Sequence, residues 1–222
     1  MERMAFQWAA NMPLVTRCWC IASIATAVMI SVNLISFEDT LFSSRLVWKD
    51  KQVWRIPLSL AYVGDLDMNL FYSLLQLVTI SGDLEGSLDN AFEYVWLIAT
   101  TSLIQILVDT IRGKYSSLSS QILTTLLYFW AKRRPDAELR ILIVVGIRAS
   151  YYCLLSILTY FFLGDERHLL SIAIGHVVFY SYEIAPSVLG INPLAPPWTQ
   201  VKPFLEARER WKKLRAIREH RE

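Results

Sequence analysis

Residues 92–111 read FEYVWLIATTSLIQILVDTI, a run whose only charges are Glu93 near its start and Asp109 near its end. At 1.5 Å per residue, a helix of this length covers about 30 Å, the thickness of a bilayer's hydrocarbon core. Apolar runs of similar kind lie on both sides of it, at 18–37, about 67–81, about 118–131, 139–163 and about 169–185. Together they predict an all-α membrane protein with six transmembrane helices and a long polar-aromatic first loop, extending to about residue 63. Ala25, Thr26 and Ala27 resemble a signal-peptide cleavage site, but the run 18–37 is long for a signal peptide and right for a span.

Composition agrees. The chain has 222 residues, 54% of them hydrophobic and only 19% charged, against about a quarter charged in a typical soluble domain. A net charge of +2 gives no basis for nucleic-acid binding. Cys18, Cys20 and Cys153 sit inside apolar runs, so a disulfide framework is not expected. There is no Cys/His cluster at metal-ligand spacing, and neither metal nor cofactor is expected. No asparagine begins an Asn-x-Ser/Thr sequon.

Six spans leave both ends on one side. Lys and Arg fall about two to one on the side holding Arg17, Lys132, Arg133, Arg134 and the tail. The positive-inside bias therefore places both termini in the cytosol. The expected organisation is a membrane domain over 1–189, a linker over 190–203 with four prolines, and a basic tail over 204–222. In the tail, Phe204, Ala207, Trp211 and Leu214 share one helical face. That pattern fits a helix lying on anionic lipid, or alternatively a docking helix for a partner.

Chemistry inside a bundle needs polar groups at depth. Arg148 falls about nine residues into the run 139–163, about 14 Å deep in a continuous helix. A charge there costs about 2.5–3.5 kcal/mol. It reads as the lining of a polar cavity or substrate path, or as a structural pair with Glu183, Glu93 or Asp109. His176 follows Gly175 in the sixth run. Ser116, Ser117, Ser119 and Ser120 open the fourth, where intramembrane serine proteases of the rhomboid type carry Gly-x-Ser-Gly. No glycine flanks these serines and no such motif occurs in the chain, so they are expected to cap a helix. Ser171 and Gly175 form a small-xxx-small pair suited to close packing. The first loop mixes Leu41, Phe42, Leu46, Val47, Trp48 and Trp54 with Arg45, Lys49, Lys51 and Arg55. Such a segment lies in the membrane interface, Trp54 at the headgroups and Arg55 pairing with phosphate or bundle carboxylates.

Six segments in order resemble the Derlin family, the rhomboid-like pseudoproteases of the endoplasmic reticulum. They are PLVTR (13–17); QVWR (52–55) followed by Gly64; LEGS (84–87); YFWAKRRP (128–135); Gly146 with Arg148, Ala149 and Tyr151; and GHVVFY (175–180) followed by Glu183 and Pro186. Pro57, Leu58 and Ser171 depart from the family pattern. The resemblance implies a rhomboid-like bundle in the endoplasmic-reticulum membrane that performs no proteolysis. It implies a retrotranslocation factor that associates with a membrane ubiquitin ligase complex. Such a factor helps misfolded lumenal or membrane proteins cross a locally thinned bilayer. The tail lacks the glycine-bearing motif by which longer members recruit a cytosolic AAA ATPase, so direct recruitment is not expected.

On this reading Trp54, Arg55 and Gly64 contact the membrane. Arg148, Tyr151, Ser171, Gly175, His176 and Glu183 line a polar groove or serve packing, the groove lying between the first loop, the second span and the fifth. The apolar part of the fourth span, 120–131, covers only about 18 Å. It either thins the bilayer or sits at the bundle centre. An active protease using Ser119 or Ser120 is the enzyme alternative. A small transporter would predict paired discontinuous spans, and none is visible.

Overall fold

The computed structural model describes residues 12–88, 90–141, 145–164, 166–190 and 193–197. The chain divides into two compact units, Met1–Phe179 and Tyr180–Glu222. In the first, α1 spans Leu14–Ser31, followed by a 3-10 turn at Phe37–Thr40 and two short helices, α2 (Ser44–Trp48) and α3 (Arg55–Ala61). Then come α4 (Met68–Ser87), α5 (Ala91–Arg112) and α6 (Leu118–Arg133). A hairpin of β1 (Glu138–Ile141) and β2 (Val145–Arg148) leads through a 3-10 turn at Ala149–Tyr151 into α7 (Tyr152–Leu163) and α8 (Glu166–Phe179). The second unit begins with a π-helical turn, Tyr180–Ile184, and α9, Ala185–Leu189. Pro186 sits in the first turn of α9, and Gly190 ends it at φ +66°.

Helix ends follow local chemistry. Asp67 caps α4, its carboxylate accepting from the backbone N–H of Asn69 at 2.8 Å and of Leu70 at 3.1 Å. Gly113 closes α5 in the left-handed conformation at φ +64°. Among the described residues, three helical stretches are long and apolar enough to cross a membrane: Leu14–Ser31, Ala91–Arg112 and Glu166–Leu189.

The axis of the first unit is α6. It touches α3, α4, α5, α7 and α8, and Leu118, Ile122, Leu126 and Phe129 are almost wholly buried along it. Its 16 residues cover only about 24 Å. Of the two meanings offered for a short fourth span, the central position is the one this helix occupies. Cys20, Leu77 and Leu123 form a core joining α1, α4 and α6, and the Trp19 indole donates to the Leu60 carbonyl at 3.0 Å.

The expected fifth span is the main departure. A continuous helix over 139–163 is not what forms. Its first part is a β-hairpin with Glu138 opposite Arg148 and Leu139 opposite Ile147. The stretch is rich in β-branched residues, among them Ile141, Val145 and Ile147, which favour strands. A short apolar run does not by itself distinguish strand from buried helix. Arg148 therefore ends a strand and is exposed, not held at mid-depth in a helix. The tail over 204–222 and most of the linker lie outside the described residues.

Candidate functional site

The N-terminal end of α6 is built by the first loop. Phe42 and Ser116 exchange backbone hydrogen bonds of 2.8 and 3.0 Å. Ser59 Oγ accepts from the Leu118 N–H at 3.0 Å, and Ser119 Oγ donates to the Tyr62 carbonyl. Tyr62 Oη donates to Asp65 at 2.9 Å. Burial first, then Asp65 and Asp67, pushes this phenol far up, so it stays a donor. The serines thus do more than cap: Ser119 fixes the loop, and Ser116 donates to the buried carboxylate of Asp109 at 2.5 Å.

Arg55 holds the loop together from within. It is 7% exposed. Its Nε donates to Gln52 Oε1 at 2.6 Å, Nη1 to the Glu38 carbonyl, and Nη2 to Asp39 Oδ1 at 2.8 Å. Its charge is matched by a carboxylate of the same loop. Trp54 and Trp48 point outward, at 55% and 62% exposure, whereas Phe42 and Val47 turn inward. Gly64 meets no close neighbour: a Cβ there would lie 3.5 Å from the Leu70 backbone, an ordinary contact.

Ser171, Gly175 and His176 come together along α8, against α6. Thr125 Oγ1 donates to the Ser171 carbonyl at 3.0 Å. A Cβ on Gly175 would stand 3.0 Å from both Cβ and Cδ1 of Tyr128, so glycine permits this approach. His176 Nδ1 and Tyr128 Oη share a 2.8 Å hydrogen bond. Arg148 and Tyr151 lie at the other end of α6, where the 3-10 turn Ala149–Tyr151 adjoins it. About 24 Å of helix separates them from the end where the first loop docks, so the expected grouping of Arg148 with first-loop residues does not form. Glu183 belongs to the π-helical turn of the second unit.

Two polar features escape a linear reading. On α5, Thr101, Gln105 and Asp109 recur every fourth residue and share one face. All three are buried. Gln105 and Gln121 turn their carboxamides toward the Asp109 carboxylate, and the Thr101 hydroxyl completes no hydrogen bond. This stripe, not Arg148, carries polarity into the bundle. Its signal was the four-residue spacing within residues 92–111. Beside it, Ser117 just before α6 and Ser120, Gln121 and Thr124 within it line, with Arg167, His168 and Ser171 of α8, a cleft of about 110 Å³. On the rim, Glu166 pairs with Arg112 at 3.0 Å and with Lys114 at 3.5 Å.

At the opposite end three of the quoted motifs meet. Glu85 accepts from the backbone N–H groups of Val15 and Thr16 at 2.9 and 2.8 Å and from Thr16 Oγ1 at 2.8 Å. A buried carboxylate thereby caps the start of α1. Thr16 and Tyr94 both meet the Ser81 hydroxyl, at 2.8 and 2.6 Å. Trp130 Nε1 donates to Asp83 Oδ2 at 2.6 Å, and Arg134 pairs with Asp83 Oδ1 at 2.8 Å. PLVTR, LEGS and YFWAKRRP are pieces of one junction.

A model of the Der1-like family matches residues 12–198. Derlin-2.1 of Zea mays is 23% identical over 214 residues, covering 89% of this chain and 85% of that protein. A probable derlin-2 homolog of Dictyostelium discoideum is 23% identical over 200 residues, covering 86% and 79%. Derlin-1 of Arabidopsis thaliana is 23% identical over 192 residues, covering 84% and 72%.

Proposed function

This chain is a member of the Der1-like family, and on that premise we propose a non-catalytic retrotranslocation factor of endoplasmic-reticulum-associated degradation. It sits in the endoplasmic-reticulum membrane with six membrane segments and cytosolic termini. Beside a membrane ubiquitin ligase complex, it helps misfolded lumenal or membrane proteins toward the cytosol.

The observation that carries this reading is that Ser119, Ser116 and His176 are each engaged by a neighbour other than one another. Ser119 is bonded to Tyr62, Ser116 to Asp109, and His176 to Tyr128. No serine bears the flanking glycines that shape an oxyanion site. What the same end retains is polarity, in the cleft and the α5 stripe. An unfolded chain entering hydrocarbon pays several kcal/mol for each unsatisfied backbone group, and buried polar side chains lower that cost.

A second contribution comes from α7. Its 12 residues cover about 18 Å, and Leu154, Leu158 and Phe162 are exposed along it. A short apolar helix facing lipid draws the bilayer thinner.

The test pairs cells with purified protein. Cells lacking the protein should clear a misfolded lumenal glycoprotein more slowly in a pulse-chase. The wild type should restore clearance. Purified protein in nanodiscs should leave a transmembrane peptide intact. Unchanged clearance without the protein would remove the transport reading. Cleavage that disappears on Ser119→Ala or Ser120→Ala would make the protein a protease.

A further inference from the structure

We propose that the cleft between the first turns of α6 and α8 binds a phosphate group, with Arg167, His168 and the Ser120 hydroxyl as its donors. The inference goes beyond the transport reading and needs only the fold and its place in a membrane.

The cleft exists because two helices start together. Contacts between α6 and α8 advance in the same direction: Thr125 meets Ser171, Tyr128 meets Gly175, and the Phe129 and Phe179 rings lie 5.9 Å apart. The helices therefore run parallel, and the N-terminal turns of both border one cavity. Each end adds the positive pole of its dipole. On α6, however, the Leu118 N–H is already taken by Ser59 Oγ at 3.0 Å, so side chains must supply most of the binding.

Arg167 and His168 are successive residues of α8, and both line the cleft. A guanidinium carries a fork of N–H donors, and an imidazole carries at least one in either tautomer. Ser120 lines the cleft from α6. Thr124 and Ser171 donate within their own helices, to the Ser120 and Arg167 carbonyls at 3.0 Å each. Among the described residues, the Ser120 hydroxyl is not so engaged, and it is exposed. The nearby acids are already answered. Glu166 meets Arg112 and Lys114 at 3.0 and 3.5 Å. Asp109 accepts from Ser116 and has the carboxamides of Gln105 and Gln121 turned toward it.

Other occupants fit less well. A metal cation would meet Arg167. A carboxylate has two oxygens in one plane, enough for the guanidinium fork alone, whereas phosphate oxygens project tetrahedrally and take donors from both helices at once. An apolar ligand would strip water from Arg167 and Ser120 and return no hydrogen bond. The cleft's 110 Å³ holds roughly four waters at about 30 Å³ each, room for a phosphate group while the rest of its molecule stays outside. A phospholipid headgroup and free phosphate share this chemistry.

The experiment uses the purified full chain in dodecyl maltoside, which contains no phosphate. It is titrated at constant ionic strength with dihexanoyl phosphatidic acid, inorganic phosphate or dihexanoylglycerol, and binding is read by calorimetry. The two phosphate ligands should compete, and dihexanoylglycerol should not bind. Tighter binding of phosphatidic acid assigns the site to a lipid headgroup, and equal affinity assigns it to free phosphate. Arg167→Gln should weaken both ligands about tenfold or more, as loss of hydrogen bonds to a charged group implies. Arg167→Lys keeps the charge but not the fork and should fall between. Ser120→Ala, at an exposed position that tolerates it, should cost about three- to tenfold. Lys132→Gln removes one charge at the far end of α6 and should leave affinity unchanged.

Failure of the wild type to bind either phosphate ligand overturns the site. So does unchanged affinity in both Arg167→Gln and Ser120→Ala, equal weakening by Lys132→Gln, or dihexanoylglycerol binding as tightly as phosphatidic acid. None of these results bears on the transport reading, which clearance in cells tests separately.

Discussion

At the scale of single residues, Gly175 and Glu85 have the sharpest consequences. Gly175→Ala places a Cβ 3.0 Å from two atoms of Tyr128. Those atoms belong to a buried side chain in the axial helix, so the contact is relieved only by moving α8 from α6. We expect about 1–3 kcal/mol of destabilisation, seen as a lower melting temperature in nanodiscs. Gly86, with nothing within 4 Å of its added Cβ and a place inside α4, is the control. Gly86→Ala should be neutral or stabilising by about 0.5–1 kcal/mol. Glu85 is the counterpart among polar residues. Glu85→Ala leaves the first N–H groups of α1 without their acceptor and should cost about 2–4 kcal/mol, whereas Glu85→Gln keeps an acceptor and should cost about 1. Equal melting temperatures for the two would mean the carboxylate does not cap α1. The sequence marks both residues only through the family motifs that contain them. That Thr16 and Glu85, so far apart in the chain, share hydrogen bonds is a fact of folding no local pattern carries.

At the scale of elements, one side chain ties the parts of the first loop to each other. Arg55 joins α3, Gln52 and the 3-10 turn at Phe37–Thr40. Arg55→Ala should cost about 2–3 kcal/mol, below the range for a fully buried pair because the Asp39 side chain is 40% exposed. Arg55→Lys keeps the charge but not the fork, and should fall between. The effect should be local: faster hydrogen exchange over 37–55, with the amides of α4 and α5 unchanged. Global acceleration would mean the loop is not a separate unit. Helix existence was legible wherever apolar runs were long, as in α5. The fifth segment was misjudged because β-branched residues satisfy an apolar count as well as a helix does. The Trp54–Arg55 pair was legible as important but not as divided, one side chain outward and the other locked within. Periodicity does not show what a side chain meets across a loop.

For the whole molecule, the decisive quantity is which end of α6 faces which compartment. The axial helix joins two chemically distinct ends. One carries the first loop, the cleft and the Arg112–Glu166 pairing; the other carries Lys132, Arg133, Arg134 and the Glu85 junction. Positive-inside bias assigns the second end to the cytosol, and the proposed transport needs the cleft end to meet the lumen first. The chain has no Asn-x-Ser/Thr sequon of its own, so an inserted one reports sidedness without background. A sequon with a short Gly/Ser spacer beside Lys114, between α5 and α6, should be glycosylated in microsomes and shift on glycosidase treatment. The same insertion beside Asp136, between α6 and the hairpin, should remain unmodified. Modification at Asp136 alone would turn the bundle over, put the cleft in the cytosol and remove its access to lumenal chains. Modification at both positions would mean that α6 does not cross at all, and its burial among five neighbouring helices would then describe a membrane-bordering core instead of a central span.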